Sequence, residues 1–133
     1  MPDVVSAVFA DSFYFLARLN RDDAAHEQAV RLGTQEWRPL VTTGWVLTEG
    51  GDTMSSPVNR LAFLRLFEAL QSSPDAKIIP ATAELFDRGV QLYAERPDKE
   101  WSLTDCISFV VMTDGRTDHG RFDWRPSLRA SRI

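Results

Sequence analysis

Cysteine is nearly absent from this sequence. Cys106 stands alone among 133 residues, which excludes an internal disulfide and any multi-cysteine metal site. A lone Cys in an apolar stretch reads as a small core residue, and its scarcity points to a cytoplasmic setting. Histidine is equally sparse, with His26 and His119 only, and no HExxH or Cys/His zinc spacing is present. Long apolar runs are missing too. None approaches the roughly 18 residues of a membrane span, and Met1-Pro2-Asp3 lacks the basic start of a secretory signal. No Walker A loop or GxGxxG is found, so nucleotide binding of those kinds is excluded. Basic residues are in the minority: 15 Lys and Arg against 19 Asp and Glu give a net charge of -4, which argues against a protein that coats nucleic acid.

What is present is the composition of one soluble globular domain spanning residues 1–133, with 44% hydrophobic and 26% charged residues. The charge is uneven. Residues 113–133 hold five Arg and three Asp, so that tail is net positive while the rest is net acidic. An acidic protein can still process nucleic acid when its carboxylates hold divalent cations that meet the phosphates.

Elements alternate along the chain. Val4 to Ala10 is a short apolar run with β-branched residues, the pattern of a buried parallel strand. Asp11-Ser12 follows, then a helical run from Phe13 to Leu19. Ala24 to Gln35 reads as an amphipathic helix in which His26 is a surface or helix-contact residue. Leu40-Val41-Thr42 is a second strand, and Thr42-Thr43 can cap a helix from Gly44 to about Asp52 that Gly50-Gly51 ends or loosens. Ser55-Ser56-Pro57 opens a helix with an apolar stripe of Leu61, Phe63, Leu64, Leu66, Phe67 and Leu70, suited to the core or a dimer face. Ile78-Ile79-Pro80 is a third strand. Thr82 starts a helix to about Ala94, with Leu85, Phe86, Val90, Leu92 and Tyr93 expected on its inner side. Ser102, three residues before Asp105, has capping-box spacing ahead of the apolar run to Met112. Such an alternation predicts an α/β fold with a parallel sheet.

Three acidic residues share one kind of position. Asp11 follows a strand, Glu49 lies in the helix after a strand, and Asp105 begins a buried helix. Right-handed crossovers gather strand ends and helix starts on one edge of a parallel sheet. Carboxylates crowded there repel one another unless a cation intervenes, and hard oxygen ligands suit Mg²⁺ or Mn²⁺. Taken singly, Asp11 is equally an N-cap, Glu49 a solvated helix residue, and Asp105 a complement to the helix dipole.

The blocks Ala10-Asp11-Ser12-Phe13-Tyr14, Thr42-Thr43-Gly44-Trp45-Val46-Leu47-Thr48-Glu49 and Asp98-Lys99-Glu100-Trp101-Ser102-Leu103-Thr104-Asp105-Cys106 resemble, in order and spacing, those of PIN-domain proteins of the VapC-like toxin type. The resemblance covers about residues 4–112. It implies a three-layer α/β/α fold around a short central parallel sheet. It also implies a metal-dependent endoribonuclease with Asp11, Glu49 and Asp105 as catalytic and metal-binding residues, using Mg²⁺ or Mn²⁺. RNA is the implied substrate, and an antitoxin protein and a second copy of the chain are the implied partners. The alternative is a PIN-like binding module, impaired in catalysis, that acts through a protein partner.

The tail departs from the family. Where a block of the form A-L-T-x-D-x-H-F with a fourth acidic residue belongs, the chain reads Thr117-Asp118-His119-Gly120-Arg121-Phe122-Asp123-Trp124. Asp118 and Asp123 are the acidic residues at hand to substitute. Synonymous codons exist for Arg121 to Ile133 that, read one base later, spell ALTGDRHFEQAG followed by the first two bases of a Phe or Leu codon, which resembles the missing block. A shifted reading frame from about Arg116 is therefore expected, and with it a last strand that is lost or distorted.

Overall fold

A computed structural model describes residues 4–34, 39–114, 116–117 and 120–125. In chain order the elements are β1 (Val4–Phe9), α1 (Ser12–Leu19), α2 (His26–Thr34), β2 (Leu40–Thr43), α3 (Gly44–Thr53) and α4 (Pro57–Ser72). They continue with β3 (Ala76–Ile79), α5 (Ala83–Glu95), α6 (Leu103–Asp114), β4 (Arg116–Thr117) and β5 (Gly120–Arg125). The sheet order is β3-β2-β1-β5-β4, parallel throughout except for the β4–β5 pair. This is the α/β layout that the alternating pattern predicts. No helix among the described residues is long and apolar enough to cross a membrane.

Local chemistry explains most of the boundaries. Asp11, Thr43 and Thr82 each accept a hydrogen bond from the backbone N–H three residues on, so α1, α3 and α5 start where a side-chain oxygen meets an otherwise unpaired helical donor. Pro57 opens α4, where its missing N–H has no helical partner to lose. The core joins Ala7, Phe9 and Ala10 from the first strand and its end to Tyr14, Phe15 and Ala17 of α1. Val41, Val46, Leu47, Leu70 and Val111 complete it from β2, α3, α4 and α6.

Three expectations differ from the structure. α3 ends at Thr53, within a residue of the expected end near Asp52, with Gly50 and Gly51 inside its last turn rather than after it. They make room for the Phe63 ring of α4, whose atoms would lie 3.3 Å from a Cβ on Gly51. Only part of the apolar content of α5 faces inward. Leu85 and Leu92 are half-buried, whereas Phe86, Val90 and Tyr93 are exposed. Gly89 lies on the inward line between Leu85 and Leu92, and its missing side chain lets Ile107 of α6 approach closely there. On α4 the same division holds: Phe63, Leu66, Phe67 and Leu70 turn inward while Val58, Leu61 and Leu64 stay exposed.

The last strand is formed, contrary to the expectation that it is lost or distorted. Gly120–Arg125 pairs in parallel with β1, from Val4 opposite Arg121 to Val8 opposite Arg125. A central strand has two edges of backbone donors and acceptors to satisfy, and β2 covers only one of them. Main-chain pairing needs no apolar run, and Gly-Arg-Phe-Asp-Trp-Arg alternates with the period of a strand. In this register Asp123 stands opposite Ser6, five residues before Asp11 along the neighbouring strand, so its backbone does not reach the carboxyl edge. Asp118 lies outside the described residues.

Candidate active site

The β1–β2 ladder carries the first acidic residue to the sheet edge. Ala10 N–H donates to the Val41 carbonyl at 2.9 Å, and the buried Thr42 hydroxyl donates to the Ala10 carbonyl at 2.8 Å. Asp11 follows immediately, past the last paired residue. It is only 8% exposed, and its Oδ1 accepts from the Tyr14 N–H at 2.9 Å as the N-cap of α1. One short polar side chain thus terminates the strand, starts the helix and places a carboxylate at the rim of the core.

Glu49 reaches the same place from β2. Thr43 is fully buried, and its Oγ1 accepts from the Val46 N–H, fixing the direction in which α3 leaves the sheet. Glu49 lies in the second turn of that helix and is half-buried. Its Oε1 accepts a hydrogen bond from the hydroxyl of Ser12, the residue next to Asp11. The first two acidic residues are therefore linked through one serine, a connection between positions 37 apart in sequence. Ser12 is the residue that sequence reasoning passed over. Its place directly after Asp11, on the first turn of α1, was the available signal.

Asp105 is set by its own helix. The capping box is reciprocal: the Ser102 Oγ accepts from the Asp105 N–H at 3.0 Å, and Asp105 Oδ2 accepts from the Ser102 N–H at 3.1 Å. Behind it Cys106, Ile107, Ser108, Val110 and Val111 are buried, and α6 packs on α3, the helix of Glu49. Burial, and then the neighbouring Asp105 charge, push the Cys106 thiol up from its ordinary value, so it stays protonated and behaves as a core residue rather than a nucleophile. His26 is likewise structural: its Nδ1 lies 2.9 Å from the Ala17 carbonyl and ties α2 to α1.

The donors at Asp11, Glu49 and Asp105 are carboxylate oxygens, the chemistry that suits a hard divalent cation. Each carboxylate also accepts a hydrogen bond, Asp11 and Asp105 locally from Tyr14 and Ser102, and Glu49 from Ser12 across the fold. Among the described residues, no three His, Cys, Asp or Glu side chains form a group that could hold a metal ion. Glu49 is brought beside the Asp11 turn, while Asp105 remains with its own cap.

No family model matches the chain, and no curated protein matches it. Solved structures do. The chain is similar to VapC20 of Mycobacterium tuberculosis, described as a sarcin-ricin loop cleaving toxin, with 26% identity and a TM-score of 0.71. The match covers 80% of this chain and 82% of that one. With the acidic residues at the strand end and helix start that the sequence blocks anticipate, the chain has a VapC-like PIN fold.

Proposed function

We propose that this protein is a divalent-metal-dependent endoribonuclease, the toxin of a toxin–antitoxin pair, with Asp11, Glu49 and Asp105 as its acidic site. The observation that carries the reading is the Ser12 bridge, which joins Glu49 to the Asp11 turn at the carboxyl end of β1. Open α/β folds bind their ligands at that edge. The likeness to VapC20, a sarcin-ricin loop cleaving toxin, supports RNA as the substrate.

Asp11 and Glu49, brought together by the Ser12 bridge, would hold Mg²⁺ or Mn²⁺, and Asp105 would join them once an ion is bound, since among the described residues the three do not form a ready-made metal group. Such an ion, when bound, supplies positive charge beside a phosphodiester and acidifies a bound water. The chain's own groups orient the ligands. The Tyr14 N–H fixes the Asp11 carboxylate, the Ser12 hydroxyl fixes Glu49, and the Ser102 N–H fixes Asp105. Backbone donors at helix starts orient Asp11 and Asp105, and a serine hydroxyl orients Glu49, so each carboxylate has its own supporting partner.

The test is cleavage of a sarcin-ricin loop RNA and of total RNA by the purified protein, with Mn²⁺ or Mg²⁺ and with chelator. Metal-dependent cleavage that Asp11→Asn abolishes is the expected result. Cleavage that persists in Asp11→Asn, or that ignores the chelator, refutes the assignment. A second reading, a PIN-like module impaired in catalysis and acting through a protein partner, is favoured by the apolar side chains left exposed: Val58, Leu61 and Leu64 on α4, and Phe86, Val90 and Tyr93 on α5. An active toxin would need such surfaces too, for an antitoxin or for a second copy of itself. The cleavage assay therefore separates the two readings.

A further inference from the structure

We propose that Trp101, with Arg96 and Lys99 lying over its ring, is a subsite that holds the RNA strand beside the acidic site. This inference rests on the nuclease reading above and adds to it the residues that grip the substrate. The cluster occupies the connection between α5 and α6, directly ahead of the Ser102–Asp105 cap. The half-buried indole is anchored by Phe109 of α6, with ring centroids 4.8 Å apart at 72°. Above it the Arg96 guanidinium carbon lies 5.3 Å, and the Lys99 Nζ 5.6 Å, from the ring centroid. The turn is built rather than slack. Lys99 N–H donates to the Arg96 carbonyl at 3.1 Å, and Asp98 grips the Arg96 guanidinium through two 2.9 Å hydrogen bonds.

Electrostatics gives the cluster its purpose. A site of three carboxylates repels a polyanion, so a positive contact must lie close by. Arg88 is paired to Asp114, at the opposite end of α6 from Asp105. Arg96 is paired too, to Asp98, but that exposed pair lies on the segment leading into Asp105, where an incoming phosphate can compete with the carboxylate. Arg96 and Lys99 stand on the segment that leads straight into Asp105. An indole face accepts any base by stacking, and cations resting over it can turn to the adjoining phosphates as the base takes their place. Two exposed cations over one ring do little for the fold, yet together they match one nucleotide: a flat apolar base and its charged phosphate.

The test is binding of a fluorescein-labelled oligouridylate to the full chain in an Asp11→Asn background, followed by anisotropy between roughly 50 and 200 mM salt. Lys99→Gln should reduce the slope of log K against log salt by about 0.7, the loss of one phosphate contact on a single strand. Trp101→Leu should weaken binding roughly 5- to 100-fold at every salt concentration, with the slope kept and with Trp101→Phe restoring part of the loss. A merely structural Trp101 would shift the melting temperature and show no such division between slope and affinity. If Trp101→Leu fails to fold, Lys99→Gln and Arg96→Gln decide. Unchanged slopes in both overturn the proposal. Wild-type protein that cleaves RNA while the cluster variants bind as tightly as their parent also overturns it and leaves the nuclease reading intact. Binding with the expected slopes but no cleavage by wild type supports the subsite and refutes the nuclease. A chain that neither binds nor cleaves RNA refutes both.

Discussion

Gly89→Ala tests the contact that seats α6, and its sign is the point of interest. In an unconstrained helix interior the change stabilises by about 1 kcal/mol, because alanine loses less backbone freedom on folding. At Gly89, however, a Cβ would sit 2.3 Å from Ile107 Cγ1 and 3.3 Å from the Ile107 backbone N and Cα. Ile107 is 1% exposed and cannot swing away into solvent. Relief requires an off-rotamer isoleucine or a separation of α5 from α6, and overpacking of this kind costs about 1–3 kcal/mol. The net expectation is a destabilisation of about 1 kcal/mol, which lowers the melting temperature by roughly 3–5 °C for a domain of this size. Thermal and urea unfolding measure it. The double-mutant cycle with Ile107→Ala isolates the cause. Ile107→Ala alone should cost about 2–5 kcal/mol, but in its background Gly89→Ala should reverse sign and stabilise. A rise in melting temperature for Gly89→Ala alone, or an unchanged penalty in the Ile107→Ala background, refutes the close-approach argument. Asp105 rides two residues before Ile107 on the same helix, so RNA cleavage should fall in Gly89→Ala even well below its melting temperature.

Asp11→Asn should abolish metal-dependent RNA cleavage while shifting stability little, because Asn caps a helix as well as Asp; Asp11→Ala should cost about 1 kcal/mol more in a urea titration. Ser102→Ala should destabilise by about 1 kcal/mol through loss of the box, with Ser102→Thr recovering most of it by the same assay. The Arg88 hydrogen bond holds the Asp114 carboxyl below its ordinary value, and Arg96 holds Asp98 at about 2. Both carboxylates are lowered, so whatever stability they add is present above about pH 4 and is lost as the pH falls through the folded values; Arg88→Ala should flatten that acid dependence slightly, since both partners are some 40% exposed. Sequencing of the gene should find codons for Arg121 to Ile133 that spell ALTGDRHFEQAG one base later; a single incompatible codon ends the shifted-frame idea.

Local chemistry was legible in the chain itself. A capping side chain acts within three residues, so the starts of α1, α3, α5 and α6 could be read at Asp11, Thr43, Thr82 and Ser102. The positions of Asp11 at a strand end and Asp105 in a first helical turn followed from the same reading, since these are local features, whereas Glu49 lies in the second turn of α3. Which apolar face finds a neighbour is a different matter. Periodicity shows that α5 has apolar residues, but only packing decides that Gly89 faces Ile107 while Phe86, Val90 and Tyr93 stay outside. Gly50-Gly51 looks like a helix stop until Phe63 arrives from the next helix to fill the space.

The tail shows the limit most directly. By composition Gly120 to Arg125 has no apolar run, yet the open edge of β1 offers it a row of backbone partners that no sequence window contains. Sequence alone determined where the helices are capped and which carboxylates stand at element ends. Only the tertiary structure decided that Ser12 joins Glu49 to the Asp11 turn, because a hydrogen bond across 37 residues depends on how the β1–α1 and β2–α3 units pack side by side.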